Sequence, residues 1–420
     1  MNPERGREQA ELNWNPDVTQ EISLRGMAWD HPRAIQPLEA ISAEWSAESG
    51  VAIDWDARPL KDFEDQPLEE LATRYDVILI DHPFVGFASE SGLIVPVDDW
   101  ADATYLADQK KNSVGPSFAS YTWRGKQWAL AVDAACQVSA VRRDLLSRSK
   151  VVQLPRTWDE VAAFAGELRK GPARVAVPLN PNHSYCAFLS VGLSLAGPDF
   201  WPTGRYIHAD TGIEALEFLR NLSSDLHPIS RTSDPIAISD RMADTDEILY
   251  VPLMFVYSSY SRPGFKRSQI FFGDAPEGPH GCIGSVLGGV GIALSALSEH
   301  REIAADLARL IASREMQSGL YATSGGQPGH AAAWDAKNVN DLVGDCFSET
   351  RRTMGQAFLR PRVTGHRKFQ VLAGELTHRF IWTKDISSEE CIKEYFRLVD
   401  ELLGHWDHDS TIAGEKRHAD

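Results

Sequence analysis

The stretch YDVILIDHPF, residues 75–84, is a short aliphatic run that stops at an acid and a proline. Too short for a helix, rich in β-branched residues and closed by turn chemistry, it reads as a buried strand. Working backwards from it, LEELATR (68–74) reads as a helix, VAIDW (51–55) as a strand, and PRAIQPLEAISAEWSAESG (32–50) as an amphipathic helix. Pro32 suits that helix's first turn, where a missing N–H costs nothing, and Gly50 suits its end. EISLRGMAW (21–29) is then a first strand. Strand-helix-strand-helix-strand predicts a parallel, doubly wound sheet with right-handed crossovers. In such sheets strands one and three are commonly neighbours, and ligands gather beyond their carboxyl ends. The tripeptide Asp-His-Pro stands at both ends, as Asp30-His31-Pro32 and as Asp81-His82-Pro83. Chance could repeat a tripeptide; its placement at two adjacent strand ends is the informative part.

The chain of 420 residues is long enough for two domains of ordinary size. Its hydrophobic and charged fractions, 43% and 24%, are those of a globular protein. A net charge of −17 with no basic stripe argues against nucleic acid as a partner, because phosphate binding needs clustered Lys and Arg. The five cysteines include no Cys-x-x-Cys and are expected to be reduced and buried. No cofactor is expected. Residues 1–20, a polar extension, contain no apolar core of signal or anchor length, so no membrane insertion is expected. The chain as given reads as cytoplasmic, with a periplasmic or extracellular location expected if a signal peptide is missing from this start.

Further along, RTWDEVAAFAGELRK (156–170) is an amphipathic helix with Thr157 as N-cap, ILYVPLMFVYSSY (248–260) a strand and aromatic turn, and GCIGSVLGGVGIALSAL (281–297) a returning strand. Residues 330–404 read as mostly helical, and 405–420 as a tail. GSVLGGVG (284–291) lacks the Gly-Lys-Ser/Thr ending of a phosphate loop and precedes a strand. Neither Gly-x-Ser-x-Gly nor His-Glu-x-x-His occurs, which removes support for serine hydrolase and zincin chemistry. Trp123 and Trp128 are expected to pack a hairpin.

Several phrases, in order, resemble family 1 extracellular solute-binding proteins of ABC importers, particularly the maltose-binding-protein-like branch. They are YDVILIDHPFVGFASESGLIVPVDDW, RGKQWALAVDAACQVSAVRRDLL, TWDEVAAFAGEL and LGGVGIALSALSEHREIAADLARLIASREMQSGLYATSGGQPG. The resemblance implies an α/β protein of the periplasmic-binding-protein type II fold, in which two doubly wound lobes close on a small molecule. It divides the chain into residues 21–132 plus 284–327 as one lobe and 133–283 plus 328–404 as the other. Its implied partners are a small polar, carbohydrate-like ligand and ABC permease subunits.

Carried over by position, the resemblance puts Trp29, Asp30 and His31 after strand one, Asp81 and His82 after strand three, and Asp133 on a crossover between lobes. It puts Asn182, His183 and Tyr185 in the second lobe, with Tyr257 after a strand where an aromatic stacks on the ligand. Carboxylates accept hydroxyl hydrogen bonds, and aromatic faces cover the apolar faces of sugars. Each residue has a plainer alternative: Asp30 and Asp81 as helix caps, His31 and His82 as partners of loop backbone. Two His and two Asp could also ligate a metal, although no i, i+4 chelating pair exists, so no metal is expected. A second reading is a cytoplasmic enzyme on the same fold, with His31 and His82 as acid/base groups and Asp30, Asp81 and Asp133 orienting them or the substrate. A third is a receptor for a cation.

Overall fold

The computed structural model describes residues 22–59, 67–149, 153–202 and 206–404. The polar extension and the tail expected at 1–20 and 405–420 lie outside them. Strand β1 (Ser23–Trp29) leads into helix α1 (Pro32–Ser49), then β2 (Ala52–Arg58), α2 (Leu68–Arg74) and β3 (Val77–Asp81). Pro32 occupies the first turn of α1, and Gly50 closes it in the left-handed region, its N–H donating to the Ser46 carbonyl. β1 lies between β2 and β3 and runs parallel to both, with Gly26 opposite Val77. The two Asp-His-Pro turns therefore emerge side by side.

Beyond this unit the sheet is mixed rather than parallel. β4 (Leu130–Val141), β5 (Arg174–Val175), β6 (Ile248–Phe255) and β7 (Leu287–Ser295) extend it in the order β2-β1-β3-β7-β4-β6-β5. β7 is antiparallel to both β3 and β4, and β4 is antiparallel to β6. Two short strands, Ile94–Val95 and Phe271–Gly273, pair with β7 and β4. β4 is twelve residues long, about 40 Å at ~3.3 Å per residue, so its first part pairs with β7 and its last part with β6.

Three apolar cores follow from this topology. One draws on residues 24–132 and 290–321, a second on 141–286 and 369–403, and a third, between them, is built around Val138, Met254, Trp334 and Phe347. All five cysteines are buried and unbridged. Thr157 caps its helix through a capping box with Glu160. After β7 the chain forms three successive helices, Arg301–Ile311, Arg314–Ser318 and Leu320–Thr323, the last break falling at Gly319. The hairpin Thr122–Trp123/Lys126–Gln127 buries Trp123, and Trp128 is tied to it by its indole N–H bond to the Trp123 carbonyl.

Where β7 meets β4 the ladder slips between Val290 and Gly291. Gly289, beside the slip, has φ +106°, and a β-carbon there would collide with the Asp133 carbonyl on the paired strand. Gly289→Ala is expected to lower stability by at least about 2 kcal/mol in urea unfolding. A change under about 0.5 kcal/mol would show that this junction yields freely.

Candidate functional site

A cavity of about 90 Å3 opens beside the ends of β1 and β3. Trp29 ends β1 with its side chain inward, and Asp81 ends β3. Helix α3 (Pro181–Ala196), capped by Asn180, supplies Asn182, His183 and Cys186; Tyr257 follows β6; Arg33, Asp133, Gly289 and Arg360 complete much of the wall. Outside it lies a mouth of about 540 Å3 that shares Asp81, Asn182 and His183.

The floor is an ion pair. Arg33 donates from Nε to Asp133 Oδ2 at 2.7 Å and from Nη2 to Asp133 Oδ1, while its Nη1 donates to the Val256 carbonyl at 2.8 Å. Both residues are buried. Burial pushes the Asp133 carboxyl above its ordinary value, opposed by the Arg33 guanidinium. Arg33 also stands 4.7 Å from the Tyr257 ring centroid and 5.9 Å from that of Trp29, packing behind both aromatics. Asp133 thus lines the cavity with both carboxylate oxygens already bonded.

On the facing side Arg360 Nη2 lies 3.4 Å from Asp81 Oδ2, and its Nη1 donates to Gln370 Oε1 at 2.8 Å. Gln370 in turn donates to Asn182 Oδ1 at 2.7 Å, which leaves the Asn182 amide N–H groups to be given elsewhere. His183 Nδ1 is 2.9 Å from Asn180 Oδ1; burial holds the imidazole down to about 4, so it is neutral at pH 7, and donation from Nδ1 leaves Nε2 as an acceptor. Burial pushes the Asp81 carboxyl up, but Arg360 and His82 bring it below its ordinary value, so it stays ionised. The walls therefore offer a carboxylate and an imidazole acceptor, guanidinium and amide donors, and two aromatic rings. Hydroxyl groups, which both donate and accept, match such a mixture.

Four sequence candidates do not face the cavity. Asp30 is exposed to solvent one residue beyond Trp29, as strand alternation dictates. His31 is the N-cap of α1: its Nδ1 accepts from the Arg33 N–H at 3.0 Å, and its ring packs edge-on at 5.0 Å to Tyr257. Tyr185 sits wholly in the second core with its hydroxyl 3.3 Å from His366 Nε2, because the helical step of about 100° turns it off the face that carries His183 and Cys186. His82 is fully buried behind Asp81, 3.2 Å from its Oδ1, and burial holds it down to about 4. A capped lone pair on His31 and an inaccessible ring on His82 leave the acid/base reading without its two principal groups. Among the described residues, no group of three His, Cys, Asp or Glu is placed to hold a metal ion.

Arg33 and Arg360 were not candidates in the sequence. Arg33 occupies the second position of an amphipathic helix, and Arg360 stands 279 positions from Asp81. The only local signal for Arg360 is the Arg360-Pro361-Arg362 phrase, whose second arginine is also buried, donating to the Thr122 carbonyl at 2.6 Å.

A family profile described as bacterial extracellular solute-binding protein matches residues 50–343, more than half of the chain. Solved structures share the fold over nearly the whole length. Maltose-bound MalE3 of T. maritima is 18% identical with a TM-score of 0.78, covering 91% of this chain and 100% of that one. An ABC transporter solute-binding protein from Thermotoga lettingae bound with α-D-tagatose is 15% identical, with a TM-score of 0.78 and the same coverage. One from Agrobacterium vitis with bound D-mannitol is 13% identical, with a TM-score of 0.72, covering 94% of this chain and 100% of that one.

Proposed function

As the chain belongs to the bacterial extracellular solute-binding proteins, we propose that it captures a small polyhydroxylated ligand, a sugar or polyol, between its lobes and presents it to ABC permease subunits outside the cytoplasm. The observation that carries this reading is the wall itself, where Asp81, Arg360, Asn182 and His183 alternate acceptor and donor beside Trp29 and Tyr257. The similar structures named above hold maltose, tagatose and mannitol, which are ligands of this chemistry. The lobes proposed to close are residues 21–132 plus 284–327 and residues 133–283 plus 328–404, with binding energy driving hinge motion and no covalent step. No helix among the described residues is long and apolar enough to cross a membrane, consistent with a receptor that meets its permease at a surface.

Titration calorimetry against a panel of monosaccharides, disaccharides and polyols tests it. At least one is expected to bind saturably, to reduce the radius of gyration in solution scattering, and to change Trp29 fluorescence. Asn182→Ala is expected to weaken that ligand about tenfold, the cost of one buried polar contact, with little change in melting temperature. A panel without binding up to millimolar concentration would overturn the reading.

A further inference from the structure

Next to the polar cleft lies a second chamber of about 300 Å3 of different character. Apolar residues, Met27, Leu68, Leu71, Leu79, Ile80 and Phe87 among them, make most of its wall; of its charged groups Glu69 and Lys368 are exposed on the surface, while Asp81 and Arg367 are half-buried. Leu71, Leu79 and Ile80 otherwise belong to the first core, so this is an opening into core surface rather than a surface dimple. Its partition from the cleft is the turn after β3: Asp81, Pro83 and Phe84 line both this chamber and the cleft mouth. Arg367, whose guanidinium stands 5.5 Å from the Phe84 ring centroid, lines both as well. A molecule held at Asp81 by its hydroxyls has only the Phe84–Arg367 sill to cross before reaching apolar surface. An apolar cavity of about 150 Å3 holds a benzene ring, so twice that volume accommodates a phenyl or hexyl group.

We propose that the ligand is amphiphilic, a glycoside whose polyhydroxylated head sits in the cleft and whose alkyl or aryl substituent fills this chamber. The inference rests on the carbohydrate reading of the cleft. What favours it over an unrelated apolar guest is continuity: the two spaces share Asp81, the carboxylate proposed to hold the head.

The test compares methyl, hexyl and phenyl glucosides, galactosides and mannosides, both anomers of each, by titration calorimetry on the full chain. Each methylene fully removed from water tightens binding by about fourfold. With incomplete burial, the best hexyl or phenyl glycoside is expected to bind at least tenfold tighter than its methyl counterpart. Leu68→Trp, which fills the chamber from its rim, is expected to abolish that gain while leaving methyl glycoside affinity unchanged. Leu71→Phe serves as an independent filling variant, and melting curves report whether each is folded. Methyl glycoside binding with no gain from the longer substituent would overturn the chamber and leave the carbohydrate reading intact. A gain that survives both filling variants would also overturn it, because the substituent would then lie elsewhere. Absence of binding by every glycoside would remove the carbohydrate reading and this inference with it.

Discussion

Replacing Arg33 by alanine is expected to cost about 3–5 kcal/mol of folding stability, the penalty typical of removing one partner from a buried ion pair. The variant leaves the buried Asp133 carboxylate without its bidentate donor, and it also strips the Val256 carbonyl of its partner. Arg33→Lys should recover little of the loss. An ammonium on a flexible stem cannot meet two carboxylate oxygens in a fork and a carbonyl beyond them at once. Arg33→Met combined with Asp133→Leu should recover most of it, because the pair's desolvation cost disappears along with its attraction. Urea unfolding of the three variants makes the comparison. An alanine variant within about 1 kcal/mol of the parent would mean that water reaches Asp133 freely. Trp29 and Tyr257 pack against the same guanidinium, so the alanine variant should also loosen ligand affinity through wall geometry.

The fate of these residues explains which parts of the molecule could be read from its sequence. The neighbouring of β1 and β3 was legible because Pro32, Gly50 and Pro83 punctuate strongly periodic segments. So were Thr157 as a cap and the returning strand at Leu287–Ser295. Strand direction beyond β3 was not, because an apolar run buried on both faces carries no mark of which way it runs; reading residues 281–297 as a returning strand left its direction open, and β7 enters antiparallel. At the site, Trp29, Asp81, Asp133, Asn182, His183 and Tyr257 do line one cavity; all but Asp133, which sits within β4, stand at or just after a strand end or at a helix start. Asp30, His31, His82 and Tyr185 fall outside it for reasons of a single residue step, which decides the direction of a side chain and which a loop assignment leaves open. Arg360 needed the fold itself: its partner Asp81 lies 279 positions away, and no local pattern encodes that pairing.

Stability is expected to fall steeply as the pH drops from about 6.5 towards 4. His31, His82 and His183 are each held down to about 4, with burial the largest cause. In the unfolded chain each returns to its ordinary value near 6.5. Between those limits the unfolded state binds up to three more protons than the folded one, so stability rises with pH across the window. It is complete above about 6.5 and lost as pH falls. Each histidine contributes about 1.4 kcal/mol per pH unit, and the three together roughly 4 kcal/mol per pH unit. His227 and His330 are lowered too, by burial first, and act in the same direction. The carboxylates do not explain a loss in this window, because Asp81 is below its ordinary range and Asp144, bonded by Arg142, is at about 2. His31 allows the cause to be isolated. Its Nδ1 accepts the Arg33 N–H, so a proton on that nitrogen would destroy the cap. Asparagine caps equally well and does not titrate. His31→Asn should therefore start somewhat below the parent at pH 7.5, because the ring contact with Tyr257 is lost, and then lose about 1.4 kcal/mol less for every unit of acidification below 6.5. Urea unfolding at half-unit steps from pH 7.5 to 4.5 measures both slopes; parallel lines would show that His31 does not titrate with folding.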